Sequence, residues 1–430
     1  MNYRYILFIG LLGILFGCEP ELDDFSASKG NADFSTYVAL GNSLTAGYAD
    51  GALYNSTQSN SYPAILAQQF AKVGGGTFVQ PVVNSEFGVF PGKFKLGYKT
   101  DCLGTTSLSP VADEGEVDGP APVGYQVNNF GVPGARSSHL LAPGYGTMNP
   151  YFGRFASEQM ASVIGDAMAQ DPTFFTLWIG NNDVLGYSTS GGVGDTITSQ
   201  QWFAAYLGLT VQSLTANGAK GAIANIPDVS AIPFFNTVPP NAYVVTQGQA
   251  DTLNMFLGPL GFSYEEGPNY FIVEDANAPL GFRQMVEGEL LLLTVPQDSL
   301  KCAYWGGFNP ILQTPVPIPD QYALSLDELA NIEVATDGYN QTIQTLATQF
   351  DLAFVDMNAE FNKLKTGVTS DGITLTADFI TGNAFSLDGV HGTQMGYSHV
   401  ANIFMSAINT KFGSTLPAVS LTSYPANVLP

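Results

Sequence analysis

The chain has 430 residues, with 14 Lys and Arg against 37 Asp and Glu, a formal net charge of −23, and charged residues make up only 12% of it. That acidic balance excludes a nucleic-acid surface, which needs clustered Lys and Arg to face phosphate, and it excludes electrostatic docking to anionic lipid. A hydrophobic share of 45%, with 29 Phe and 20 Tyr, excludes disorder for the bulk of the chain and suits one elaborated domain or a few modest ones.

Met1–Cys18 opens with a single basic side chain, Arg4, ahead of an apolar run from Ile6 to Gly17. At about 1.5 Å per residue the run reaches roughly 18 Å, short of a bilayer core of about 30 Å, so it has the form of a secretory signal. Leu15-Phe16-Gly17-Cys18 resembles a bacterial lipobox, which implies that Cys18 is lipidated and becomes the mature N-terminus. An ordinary signal with an incidental cysteine is the other reading. Glu19-Pro20-Glu21-Leu22-Asp23-Asp24 resembles the acidic export tag of some surface lipoproteins, or is a solvated tether. The expected organisation is a signal over 1–17, a tether over 18–33, a catalytic domain over 34–415 and a C-terminal tail over 416–430. No other segment carries eighteen uninterrupted apolar residues, so no transmembrane helix is expected.

Thr36–Leu40 is a β-prone run that ends in Gly41-Asn42-Ser43, and a helix follows at Pro63–Ala71 with Pro in its first turn. Residues 72–125, rich in Gly, Pro, Ser and Val, read as an insertion of loops and short strands. A helix is expected over Arg154–Ala169 and a buried strand over Thr173–Ile179. In the next helix, Gln200–Ala216, the residues Phe203, Leu207, Val211 and Leu214 share one face, and Gly218 stops it. Ala222–Ile226 is the following strand, and residues 230–322 form a second Pro- and Gly-rich insertion. Ser325-Leu326-Asp327-Glu328 is a capping box that opens a long helix to Gln349. A strand over Leu352–Asp356 and a closing helix over Met395–Lys411 complete the series. Strands alternating with helices imply a parallel sheet covered on both faces, with its reactive site at the carboxyl ends of the strands.

Four blocks fall at that edge. Gly41-Asn42-Ser43-Leu44-Thr45-Ala46-Gly47 puts a serine on a strand-to-helix turn, where the hydroxyl is exposed and backbone N–H groups can hold an oxyanion. Asn129-Phe130-Gly131-Val132-Pro133-Gly134-Ala135 supplies glycines that permit close backbone approach. Gly180-Asn181-Asn182-Asp183 supplies a neutral amide donor. Asp388-Gly389-Val390-His391 puts a carboxylate three residues before an imidazole, the spacing that can orient a general base. Taken singly, each block is also an ordinary turn or helix cap.

In this order the blocks resemble the SGNH/GDSL hydrolase family over roughly Thr36 to Lys411, the two insertions aside. The resemblance implies a flavodoxin-like three-layer α/β/α sandwich. It also implies Ser43 as nucleophile, His391 as general base and Asp388 as the carboxylate that orients it. The oxyanion hole would be the Ser43 and Gly134 N–H groups with the Asn182 side chain. No cofactor and no metal are implied. The family usually has Asp before the serine, where this chain has Asn42; altered local hydrogen bonding with retained chemistry is expected. The function implied is a serine carboxylic-ester hydrolase acting on lipid or short-chain acyl esters. The alternatives are carbohydrate O-deacetylation, or a non-catalytic surface lipoprotein that binds glycans or lipids. The expected location is the bacterial cell envelope, lipid-anchored at the outer membrane, and the partners are a small-molecule, lipid or glycan ester and the membrane itself.

Few residues compete for these roles. Only two other histidines exist, His139, a candidate for lining the cleft, and His399, expected to pack in the closing helix. Three histidines without a close ligand pair do not make a zinc site. Cys102 and Cys302 read as a disulfide or as two buried thiols, and Phe234-Phe235 and Tyr304-Trp305 are candidates for lining a substrate groove.

Overall fold

The computed structural model describes residues 26–89 and 92–430; the expected signal, Cys18 and the acidic stretch lie outside the described residues. The main sheet has five strands: β1 (Tyr37–Gly41), β2 (Asn129–Gly131), β3 (Phe174–Trp178), β4 (Lys220–Ala224) and β5 (Ala353–Val355). Every pairing is parallel, and the spatial order β5-β4-β3-β1-β2 is the flavodoxin-like winding. β1 and β3 are buried at every position, which suits their unbroken apolar runs and requires helices on both faces.

Those helices are α1 (Ser43–Ala46), α2 (Tyr62–Ala71), α3 (Asn182–Thr189), α4 (Gln200–Thr215), α5 (Leu326–Gln349), α6 (Met357–Leu364) and α7 (Gln394–Phe412). α2 packs on α7, where the rings of Tyr62 and Phe404 stack at 4.8 Å. α4 packs on α5, where Phe203 stacks on Tyr339 at 4.1 Å. The expected stripe on α4 (Phe203, Leu207, Val211, Leu214) is buried, and Gly218 beyond it has φ +82°. Ser325 and Glu328 cap α5 reciprocally, as their spacing predicts.

Two elements differ from expectation. Of the helix expected over Arg154–Ala169 only Val163–Met168 is helical, and a short helix, Pro150–Gly153, ends just before it. Tertiary partners hold the stretch between them open: the Arg154 guanidinium donates to the carbonyls of Pro81 and Val82, while the Ser157 N–H and hydroxyl donate to the Asp166 carboxylate. β4 begins two residues before the expected Ala222, because Phe174 pairs with Lys220.

Among the described residues, both segments outside the sheet carry secondary structure. The first carries an antiparallel hairpin, Phe94–Thr100 with Thr106–Ala112, attached to the loop after α1 by the Phe94 N–H on the Asp50 carbonyl. The second contains a helix at Gln247–Leu257, capped by Thr246, and several two-stranded pieces around apolar clusters of its own. Cys102 and Cys302 form a disulfide across a separation of 200 residues, and the Lys301–Asp101 ion pair at 2.7 Å lies beside it. In the chain-entropy picture a loop of that length is worth about 5 kcal/mol. The tail after residue 416 packs along α7, with Leu421 buried and the Met395 N–H on the Pro425 carbonyl. Among the described residues, no helix is long and apolar enough to cross a membrane, and no group of three His, Cys, Asp or Glu could hold a metal ion.

Candidate active site

Ser43 follows β1 by two residues and opens α1, capped by the Asn42 side chain, which accepts from the Leu44 N–H at 3.0 Å. The other end of the Asn42 amide donates to Asn181 Oδ1 at 3.0 Å. A carboxylate at this position could still cap α1 but would have no proton for Asn181 Oδ1. Gly131, at the end of β2, pairs with Gly41. A Cβ at Gly131 would lie 2.3 Å from the Ala46 nitrogen, so only glycine lets β2 run this close to α1.

Gly134, three residues past β2, has φ +79°, in the left-handed region, and among the described residues no acceptor takes its N–H. Two links tie it to the third block. Asn182 Nδ2 donates to the Ala135 carbonyl at 2.9 Å, and the buried Asp183 carboxylate accepts the Ser137 N–H and hydroxyl at 2.8 and 2.6 Å. Burial pushes the Asp183 acid up, with the Ser137 donors opposing. The Asn182 amide has a second N–H left for another acceptor.

The loop before α7 brings in the fourth block. His391 Nε2 lies 2.8 Å from Ser43 Oγ, and His391 Nδ1 lies 2.9 Å from Asp388 Oδ2. Asp388 Oδ2 also accepts the Gly51 N–H at 3.0 Å, and Oδ1 accepts those of Val390 and His391, both at 2.9 Å. Burial by itself would raise this carboxyl; the facing His391 ring and the backbone donors outweigh it and hold the acid far below the usual carboxylate range. With Asp388 ionised, Nδ1 carries the donated proton and Nε2 is left to accept from the Ser43 hydroxyl.

Residues that the sequence reading passed over support this loop. Asp50, at φ +54°, accepts the Leu387 N–H at 2.9 Å and the Tyr54 hydroxyl at 2.5 Å, while its own N–H donates to Ser386 Oγ at 3.0 Å. Burial raises the Asp50 acid, opposed by these donors. The Tyr48 ring lies 4.8 Å from that of His391, and the Tyr48 carbonyl accepts the Tyr397 hydroxyl of α7. The Asp50-Gly51 dipeptide was the available signal, since it marks a tight turn directly after the serine block.

The family model of the GDSL-like lipase/acylhydrolases matches residues 37–284. The chain belongs to that family. As a GDSL-like acylhydrolase it is an ester-hydrolysing serine enzyme. The match spans Ser43, Gly134 and Asn182, while Asp388 and His391 lie beyond it and are brought in by the fold. Solved structures similar to it include a putative GDSL-like lipase from Parabacteroides merdae (12% identity, 89% of this chain and 100% of that one, TM-score 0.36). An acetyl xylan esterase variant from Geobacillus stearothermophilus (13%, 88% and 96%, 0.37) and a lipase/acylhydrolase from Enterococcus faecalis (12%, 89% and 98%, 0.33) are also similar. No curated protein sequence matches the chain.

The remaining candidates take no part in this arrangement. His139 accepts the Arg136 N–H on Nδ1 and stacks on Tyr145 at 4.6 Å, and burial lowers its basicity. His399 packs in α7, as expected, where burial likewise lowers it. Phe234 and Phe235 are core residues, not groove residues: the Phe234 N–H donates to the Gly389 carbonyl, so the pair backs the Asp388 turn from behind. Trp305 packs on Tyr322. Cys102 and Cys302 are exposed and bonded, not buried thiols.

Proposed function

We propose that the enzyme hydrolyses carboxylic esters of short acyl groups through Ser43, His391 and Asp388. The observation that carries this is the continuous relay from Ser43 Oγ to His391 Nε2 and from Nδ1 to Asp388 at 2.8 and 2.9 Å. His391 takes the Ser43 proton as Oγ attacks the ester carbonyl. The oxyanion is held by the Ser43 and Gly134 N–H groups and the free N–H of Asn182; one such donor is worth about 10²–10³ in rate. His391 then returns the proton to the leaving alcohol, and a water deprotonated by the same ring releases the acid from Ser43.

A fluorophosphonate probe is expected to label the wild-type protein, and Ser43→Ala to abolish the labelling. Labelling that survives the substitution, or a wild type that never labels, overturns the nucleophile assignment.

We further propose that the protein is a lipoprotein of the bacterial envelope, held at the outer membrane by acyl chains on Cys18, whose support is the Leu15–Cys18 sequence. Two or more acyl chains anchor stably where one does not. Cys18→Ser is therefore expected to move the protein from the membrane to the soluble fraction of fractionated cells. Unchanged membrane retention rejects the anchor.

A further inference from the structure

Beside Ser43 lies a small apolar cavity of about 30 Å³, bordered by Asn182 and His391 on the reacting side and by Leu44, Val184, Ile226, Phe361 and Val390 behind. That is the space of only one or two water-sized groups. A second apolar cavity, of about 20 Å³, lies directly beyond it, and the two share Leu44, Phe361 and Val390 as a common wall. Phe361, on α6, is the largest member of that wall. Its ring is wedged edge-on between Trp178 at 6.1 Å and Phe385 at 5.8 Å, and it is only 8% exposed. The far cavity ends at His399, whose Nε2 is buried with no hydrogen-bond partner among the described residues.

We propose that Phe361 is the floor of the acyl pocket. It stops the acyl chain of the Ser43 ester after two or three carbons and seals off the apolar space toward His399. This rests on Ser43 being the nucleophile, because the cavity is an acyl pocket only if the acyl carbon is bonded to Ser43 Oγ. The cavity is small and apolar on the side away from His391, so the acyl groups it takes are short and carry no charged substituent, and a fatty chain meets the Phe361 ring.

The test is the chain-length profile of kcat/KM on p-nitrophenyl acetate, butyrate and octanoate. The wild type is expected to favour acetate or butyrate. Phe361→Ala joins the two cavities and is expected to raise the octanoate-to-acetate ratio by at least about tenfold, the scale of a single methylene in an apolar pocket. Adding Ala384→Val, a position that borders only the far cavity, is expected to take back part of that gain. If Phe361→Ala does not fold, Phe361→Leu keeps most of the volume and is expected to raise the butyrate-to-acetate and octanoate-to-acetate ratios above those of the wild type. A wild type that prefers octanoate, or a folded Phe361 variant whose ratio does not move, overturns the proposal. Fluorophosphonate labelling of the wild type separates the two assignments: a labelled enzyme with an unmoved profile refutes the floor alone, and an unlabelled one refutes the nucleophile beneath it.

Discussion

His391→Ala is expected to lower kcat on p-nitrophenyl acetate by about 10⁶, the loss typical of a triad that acts as one unit. Among the described residues the imidazole is the only base placed at the serine, with Nε2 2.8 Å from Oγ. No other histidine can substitute, because His139 is stacked on Tyr145 and His399 is packed in α7. Without the ring the Ser43 hydroxyl keeps its proton, and only the oxyanion donors and binding remain. Ser43→Ala should cost nearly as much, and the double variant no more than either alone, since the two side chains serve one proton transfer. The three rates, measured on protein whose circular dichroism matches the wild type, decide the matter. A His391→Ala enzyme that keeps more than about a hundredth of wild-type kcat is not using His391 as its base.

Why the four blocks were legible from the sequence follows from how local their chemistry is. A serine two residues beyond an apolar strand, and an acid three residues before a histidine, are short-range patterns whose backbone geometry is largely preset. The support around them is not. The Gly51 N–H reaches Asp388 across 337 residues of sequence, and Asp50 holds Leu387 over the same interval. Those contacts exist only because the loop after α1 folds against the loop before α7. Nothing in either stretch alone reports the other.

The fold divides in the same way. Strands buried on both faces and an amphipathic helix such as α4 carry their burial in their residue pattern, so the winding could be anticipated. The segment after Gly153 could not, because Arg154 finds partners outside it and Ser157 folds back onto Asp166, contacts that outweigh helical propensity. Strands of two or three residues in the second insertion, such as Leu290–Leu291, are too short to show a period at all. The helix at Gln247–Leu257 is different: its Thr246 and Gln249 cap was there to be read.

Asp388→Asn is expected to lower kcat by on the order of 10⁴ while leaving the site assembled, because it reverses the histidine tautomer. One amide end can still accept the Val390 and His391 N–H groups as Oδ1 does now. The other end would then present N–H to two donors, the Gly51 N–H and His391 Nδ1–H. The ring relieves the conflict by giving up its Nδ1 proton and carrying one on Nε2 instead, which points a donor at Ser43 Oγ and removes the acceptor that the reaction needs. The substitution also has a sign in stability. The folded protein holds the Asp388 acid far below its value of about 3.9 in an unfolded chain, so its ionisation stabilises the fold fully above that value. That contribution fades as pH falls below about 4, through the depressed folded value. Wild type and Asp388→Asn should therefore differ in melting temperature at pH 7 and converge as the pH is lowered toward 2, while the activity loss at pH 7 stays large. A gap in melting temperature that is flat between pH 7 and pH 2 would show that the Asp388 charge is not what the Gly51, Val390 and His391 donors stabilise. An active Asp388→Asn enzyme would show that the tautomer is set by something else.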